Sequence, residues 1–501
     1  MSTARLLPAL AQSYQPPVFT DPERTENIEA VFLALDKLHK DHAEKNHFPG
    51  FIYGVVVDGK LVHTMSDGYT DVDKKLVITP QSLFRIASMS KSFTAMAILQ
   101  LRDAGRLNLD DHADQYIPEL KKSQLLTTDS SPITIRQLLT HAAGFPEDNP
   151  WGDRQLDVTD EEFAQFLQKP ISFSNAPGVA YEYSNLGFAL LGQIVKKVSG
   201  KPYQQYINEK ILEPLGMTHT KWEYDKAPAV QLAHGYRWKD GKWQEVPLLH
   251  DGVYGAMGGL ITSLEDFSKY VALHQSAWPS RDGTDSGPLK RSSLREMHHP
   301  WNFSGMNSQY TYASGRHCGI ATAYAYGLSW LRDCEGRVVV GHSGGLPGFG
   351  SNWRIMPEYG IGVIMFANLT YASTSSLGMP ALDELVVQAR LKPRSLPASA
   401  ILKKHRQQLT QLLPDWKNAE ASGLFAENFF DDYALEALQN ETQSLFKKVG
   451  KIKNVQEIIT ENQLRGSYLL EGERGNLKIS FTLSPENEPL IQAFQIKEEP
   501  K

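Results

Sequence analysis

Two serines in this chain stand in patterns that acyl chemistry uses. In FRIASMSKSFTA, residues 84–95, Ser88 precedes Lys91 by three positions. A helix places residues i and i+3 on one face, so the Lys91 amine can face the Ser88 hydroxyl. That hydroxyl is a weak nucleophile until a base accepts its proton, and a lysine neutralised by burial and nearby cations is such a base. At the start of a helix, free N–H groups also favour developing negative charge. The second pattern is GHSGG, residues 341–345, which fits G-x-S-x-G and would make Ser343 the nucleophile of a strand–turn–helix elbow. The strand is there in RVVVGH, but GGLPGFGSNW follows, with glycines and a proline where the helix should begin. The one histidine further along is His405 in KKHRQQ, with Asp383 as the required acid. Ser88 is the better nucleophile.

A serine and lysine alone are weak grounds. The same spacing recurs at Ser444–Lys447, where a charged helix explains it fully. Weight comes from company: Tyr183-Ser184-Asn185 stands in a turn before a helix, and His342-Ser343-Gly344 ends a strand. Tyr206-Ile207-Asn208, within a helix-like stretch, shows that Y-x-N also arises by chance.

The elements that must position these groups follow from periodicity. Residues 21–45 form a helix with Ile28, Val31, Phe32, Leu35 and Leu38 on one face. FIYGVVVDGKLVHTMS pairs two β-rich runs about Asp58-Gly59, a hairpin signal. The helix that starts near Ser88 stops around Gly105, and FTAMAILQL is apolar on nearly every side, so it is expected in the core. Pro177-Gly178 turns before YEYSN, and the helix beyond carries Leu190, Leu191, Ile194, Val195 and Val198 and ends at Gly200. Residues 275–325, rich in Ser, Gly, Pro and Arg, read as long surface loops. YGLSWL, RVVVGH, NWRIM and GIGVIMFANL then read as antiparallel strands. KPRSLPASA (392–400) reads as a linker. Beyond it, a helical region with Trp416, Phe425, Phe429 and Phe430 precedes strands such as NLKISFTL, where Leu477, Ile479, Phe481 and Leu483 alternate.

The 501 residues suffice for a large domain and a small one. A net charge of -6 gives no electrostatic case for nucleic acid. No stretch approaches the ~18 apolar residues of a membrane span. The N-terminal MSTARLLPALAQSYQPP resembles the tail of an export signal, but LLPALA is shorter than the roughly 7–15 residues of such a core and contains proline. The compartment is left open: periplasmic or secreted if a signal was removed, otherwise cytoplasmic. Cys318 and Cys334 could bridge a hairpin, but two cysteines make no disulfide framework, and free thiols are the expected state. His298-His299 are read as surface-loop residues, and no metal-ligand spacing occurs. Asn302-Phe303-Ser304 and Asn368-Leu369-Thr370 match the glycosylation tripeptide, and aromatic residues near 301–330 are candidates for a cleft wall.

Taken together, FRIASMSKSFTA, YSN and HSG resemble the three motifs of the serine β-lactamase and penicillin-binding protein superfamily, in its class C and DD-peptidase branch. ITIRQLLTHAAGF (133–145), EPLGMTHT (213–220), AMGGLITSLEDFSKY (256–270) and GHSGGLPGFGSNWRIMPEYGIGVIMFANL (341–369) extend the resemblance over roughly residues 25–385. It implies an α/β (α+β) β-lactamase/transpeptidase-like fold, an antiparallel sheet flanked by helices with a helical subdomain. The expected division is an N-terminal extension 1–24, a hydrolase domain 25–390, a linker 391–400 and a small α+β domain 401–501. The resemblance makes Ser88 the nucleophile, Lys91 and Tyr183 the proton-handling pair with Tyr183 helped toward phenolate by the lysine cation, and Asn185 a partner of Lys91 and of the substrate amide. It places the oxyanion between the N–H groups of Ser88 and Gly345, beside His342, Ser343 and Gly344. No metal or cofactor is needed. Histidine where relatives carry the lysine of KTG is only partly charged near neutrality, so β-lactam hydrolysis is expected to be weak or absent. The expected activity is that of a D-amino-acid peptidase, DD-carboxypeptidase-like enzyme or esterase on small-molecule or peptide substrates. The alternative is a slow penicillin-binding sensor whose residues 401–501 dock a partner. Oligomeric state is left open.

Overall fold

The computed structural model describes residues 14–500, so most of the signal-like N-terminus lies outside the described residues. The described residues divide into two compact units, one of residues 21–392 and one of residues 393–500 joined by 14–20.

The large unit is built on a nine-stranded antiparallel sheet. The hairpin at Asp58-Gly59 gives Gly50–Val57 and Lys60–Asp71, with the short strand Leu76–Val77 at the edge beyond the latter. The sheet continues across Ile361–Ala367, Phe349–Met356, Val338–Leu346, Ser329–Asp333, Ile320–Tyr324 and Asn302–Asn307. The N-terminal hairpin docks on the C-terminal strand in the register Phe51↔Ala367 to Val57↔Ile361. Every residue of Gly50–Val57 is buried, because helices cover both faces. Tyr53, Val55 and Val363 face Leu35, Leu382 and Leu385 on one side, while Ile52, Val56 and Phe366 join Phe84 and Phe93 on the other. Side chains two residues apart thus enter the same core, as the strand period requires.

The helix Lys91–Asp103 lies within the second of these cores, with all residues from Lys91 to Leu99 buried. The helix Asn185–Ser199 is capped at its start by Ser184 Oγ, which accepts from Gly187 N at 3.3 Å. It ends at Gly200, whose φ of +77° is the left-handed conformation that glycine adopts without steric cost.

Several expectations change. The first helix is two, Arg24–Glu29 and Phe32–Lys45, broken at Ala30 and Val31. Residues 275–325 are not simply loops: they include the helix Arg291–Met297 and the strands Asn302–Asn307 and Ile320–Tyr324. Asn302–Asn307 is an edge strand without a buried face, so its sequence carries no hydrophobic alternation. Cys318 and Cys334 are bonded to each other, not free thiols. Antiparallel pairing of Asp333 with Ile320 brings the Cα atoms of Cys318 and Cys334 to 5.4 Å. His298 is buried: its Nδ1 accepts from Trp278 Nε1 at 2.9 Å and its Nε2 lies 2.7 Å from His274 Nδ1. Only His299 is exposed. Asn368 is fully buried, its amide donating to the Tyr69 and His234 carbonyls, so it cannot be a surface glycosylation site.

The small unit is α+β. The helices Ala400–Leu412 and Leu435–Val449 accompany a five-stranded sheet that includes Arg465–Gly472, Asn476–Leu483 and Ile491–Glu499. Leu477, Ile479, Phe481 and Leu483 are buried in alternation around Trp416. Residues 14–20 of the N-terminal extension belong here, with Val18 and Ser395 exchanging two backbone hydrogen bonds.

Candidate active site

Ser88 sits in a single 3-10 turn, Ala87–Ser90, that runs directly into the helix Lys91–Asp103. Ala87 has φ +49°, an uncommon conformation for a residue with a side chain, so the chain turns sharply just before the serine. Ser90 Oγ ties the turn down by donating to Ala87 O at 2.8 Å and accepting from Leu260 N at 3.1 Å.

Lys91 is fully buried. Its Nζ donates to Ser88 Oγ at 3.1 Å, Asn185 Oδ1 at 2.7 Å and Met257 O at 3.2 Å. An ammonium has three N–H donors and all three are used. Once the amine is neutral, the two carbonyl acceptors keep its N–H bonds, and its lone pair is left facing the serine hydroxyl. Burial favours that state: it pulls Lys91 from its ordinary 10.5 down to about 7, against the opposing charges of Asp153 and Asp148. Tyr183 moves the other way. Burial pushes its phenol well above 10, and a hydrogen bond with Ser88 draws it back only in part. Burial thus loosens the Lys91 proton and tightens that of Tyr183. Lys91 Nζ lies 4.7 Å from the centre of the Tyr183 ring.

Asn185 does not cap its helix; Ser184 does. Its Nδ2 donates to Asn149 Oδ1 at 2.7 Å, and its side chain has no exposed surface. The expected contact between Asn185 and substrate is thus not available, and Asn149 is the amide that lines the cleft. Asp148 accepts from the Asn185 and Leu186 amides at 2.6 and 2.8 Å, anchoring the helix start.

The third motif closes the other wall. His342, Ser343, Gly344 and Gly345 lie on the strand Val338–Leu346. Gly341 pairs with Ser329 at the end of its neighbour, which leaves the strand edge beyond it open on that side. A side chain at Gly344 would meet Ile86 O at 2.3 Å and Ala87 Cβ at 2.9 Å, so only glycine lets the strand press against the turn bearing Ser88. His342 Nδ1 faces the Ser343 carbonyl at 2.5 Å, which fixes the proton there. Nε2 therefore accepts from Tyr324 Oη at 2.8 Å. Burial, aided by the Lys91 and Arg354 charges, holds His342 down at about 3. It is a neutral hydrogen-bonding group, not a cation.

Ser88, Tyr183, His342, Ser343, Gly344 and Gly345 converge on one cleft of about 830 Å³, with Asn149, Asp153, Tyr324 and Tyr371 among its other walls. Lys91 and Asn185 lie beneath this surface. Ser343 is not an elbow serine, because its strand is followed by the strand Phe349–Met356. Asp383 is engaged by Arg316 at 2.8 Å and Arg337 at 3.2 Å, and His405 belongs to the small unit.

Sequence reasoning missed Asp148, Asn149 and Asp153, all in EDNPWGDR directly after the similar stretch ITIRQLLTHAAGF. It also missed His141, whose ring stands 4.3 Å from those of both Tyr183 and Tyr324. Of the aromatic candidates near 301–330, Tyr324 lines the cleft, whereas Trp301 stacks on Tyr326 at 5.1 Å. A turn-borne serine on a buried lysine thus stands beside a tyrosine and a glycine-lined strand edge at one cleft of the large unit.

The sequence profile of the Beta-lactamase family matches residues 35–388, and the chain belongs to that family. Protein flp of Staphylococcus aureus (strain N315) is 29% identical over 382 residues, covering 75% of this chain and 70% of that protein. Beta-lactamase-like protein 2 of Dictyostelium discoideum is 26% identical over 443 residues, covering 81% and 76%. Among solved structures, an octameric penicillin-binding protein homologue from Pyrococcus abyssi shares the fold with TM-score 0.59 and 23% identity, covering 93% of this chain and 99% of that one. A D-stereospecific amidohydrolase from Streptomyces sp. does so with TM-score 0.54 and 22% identity, over 70% and 97%.

Proposed function

We propose that this protein is a serine acyl hydrolase that cleaves amides or esters through an acyl-enzyme on Ser88, with D-amino-acid peptides or short acyl esters as substrates. The observation that carries the reading is the contact of a fully buried Lys91 amine with a Ser88 hydroxyl that opens onto the cleft. The names of the amidohydrolase and of the penicillin-binding protein homologue favour acyl substrates of this kind.

Neutral Lys91 takes the Ser88 proton as Oγ adds to the acyl carbon. The resulting oxyanion is met by the N–H groups of Ser88 and Gly345. Collapse breaks the carbon–nitrogen or carbon–oxygen bond, and the Tyr183 hydroxyl gives its proton to the leaving group while the Lys91 ammonium restores it. Water, deprotonated by the same amine, then adds to the acyl-enzyme, and collapse releases the acid as Lys91 returns the proton to Ser88 Oγ. A high Tyr183 pKa suits this role, since the phenol relays a proton and is never left as phenolate.

A neutral His342 provides no fixed charge for the carboxylate of a β-lactam, which favours weak or absent β-lactamase activity with slow acylation by penicillin. The deciding experiment incubates wild type and Ser88→Ala with p-nitrophenyl esters, D-Ala-D-Ala peptides and a chromogenic cephalosporin, alongside intact-mass detection of acylation. Ester or peptide turnover that survives in Ser88→Ala refutes the mechanism. Rapid cephalosporin turnover by wild type refutes the substrate range.

A further inference from the structure

Tyr183 lies in no helix or strand, so its place depends on what holds residues 181–184 from outside. One residue holds the backbone on both sides of it. The His141 carbonyl accepts from Glu182 N at 2.9 Å, and His141 Nδ1 accepts from Ser184 N at 3.1 Å. A backbone N–H can only donate, so Nδ1 carries the lone pair and the neutral ring keeps its hydrogen on Nε2. Burial, followed by the Lys91 and His342 charges, holds this imidazole well below its ordinary 6.5 and so preserves that lone pair.

The His141 ring is 2% exposed and packs against two tyrosines of the cleft. Its centre lies 4.3 Å from that of Tyr183, whose hydroxyl hydrogen-bonds Ser88, and 4.3 Å from that of Tyr324. Tyr324 is fixed in turn by donating to His342 Nε2 at 2.8 Å. Two features show that the placement of His141 is held against a cost. Its φ of +54° is a left-handed conformation uncommon for a residue with a side chain. Its Nε2 is buried and has no hydrogen-bond partner among the described residues. Such strain persists only where the surroundings over-determine it, and it clusters at functional sites.

Resting on the serine-hydrolase reading above, we propose that His141 is a positioning residue for Tyr183: it accepts from the backbone on either side of the tyrosine, packs its ring against the phenol, and so keeps the hydroxyl aimed at the leaving-group atom. His141 is not part of the cleft lining and transfers no proton itself. The phenol proton passes to the leaving oxygen or nitrogen as its bond to the acyl carbon breaks, and the Lys91 ammonium replaces it. A leaving group that departs as a stable anion needs no such proton, and for that substrate His141 is dispensable.

The test measures kcat/KM for acetyl esters of p-nitrophenol, phenol, trifluoroethanol and methanol, normalised to the fraction of Ser88 that a fluorophosphonate labels by intact mass. In His141→Ala the methyl ester should fall about a hundredfold and the p-nitrophenyl ester by no more than about threefold. Tyr183→Phe should steepen the series in the same way. Adding His141→Ala to Tyr183→Phe should cost nothing further on the methyl ester, because the two residues act as one unit. His141→Asn keeps an acceptor near the Nδ1 position and tolerates a positive φ. Its loss should therefore be partial, and it carries the test if His141→Ala yields no labelled protein.

A uniform loss across the series marks a purely structural residue and overturns the proposal, as does loss of labelling in both His141 variants. Unchanged rates, an additive double variant, or a wild-type series already as steep as that of Tyr183→Phe overturn it too. If wild-type Ser88 is labelled but turns over no ester, this inference falls alone. If neither labelling nor turnover occurs, the hydrolase reading falls and this inference with it.

Discussion

The chain carries two serine–lysine pairs with the same spacing, one in each unit, and their surroundings differ in almost every respect. Ser88 and Lys91 are 7% and 0% exposed and lie among Asn185, Met257 and Tyr183. Ser444 and Lys447 are exposed on the outer face of the helix Leu435–Val449. A lysine in water holds its proton and cannot serve as a base at neutral pH. The same side chain withdrawn from water loses it near 7. Spacing brings two side chains together; desolvation gives them chemistry.

The comparison is broken most directly at the serines. Ser88→Ala should lower kcat/KM by about 10⁴-fold or more on any ester or amide that wild type processes, and should abolish acylation seen by intact mass. Next comes Lys91→Met, expected to cost about 10²–10⁴-fold. In wild type, kcat/KM for an uncharged ester should rise with pH and level off above about 7, because the neutral amine is the base; that inflection should vanish in Lys91→Met. The stability sign is worked out likewise. Between about 7 and 10.5 the unfolded chain holds a Lys91 proton that the native state has released, so stability rises with pH across this window. Urea titrations at several pH values should show the slope in wild type and lose that contribution in Lys91→Met.

A smaller effect sharpens the comparison by loosening the frame and sparing the pair. Asp148→Ala removes the carboxylate that holds the Asn185 and Leu186 amides. It should cost about 1–2 kcal/mol of stability, with activity falling about tenfold as Asn185 drifts from Lys91. Smallest of all is the double variant Ser444→Ala/Lys447→Met. Its stability should stay within about 0.5 kcal/mol of wild type, with unchanged kcat/KM. A large loss here would mean that the second pair is not the bystander its exposure indicates.

Much of this was legible in the chain itself. The apolar run FTAMAILQL announced a buried helix, and the alternation in NLKISFTL announced a half-buried strand. Each such signal is local, because periods of 3.6 and 2 residues repeat within a few positions. The edge strand Asn302–Asn307 escaped for the converse reason: without a buried face it leaves no pattern. The Cys318–Cys334 bond escaped because sequence does not tell which strands will be neighbours.

The amino-acid sequence by itself determined which groups were available for chemistry: a serine and a lysine one helical turn apart, a tyrosine before a helix, and glycines at a strand end. Only the tertiary structure decided their electrical state and their company. It drew Lys91 and His342 out of water and so lowered their hold on a proton, turned Asn185 inward, and brought Asp153 and Tyr371 to the same cleft from positions 218 residues apart. Types and spacings are properties of a chain, whereas protonation depends on how much water packing has removed, and packing is shared by residues far apart along it.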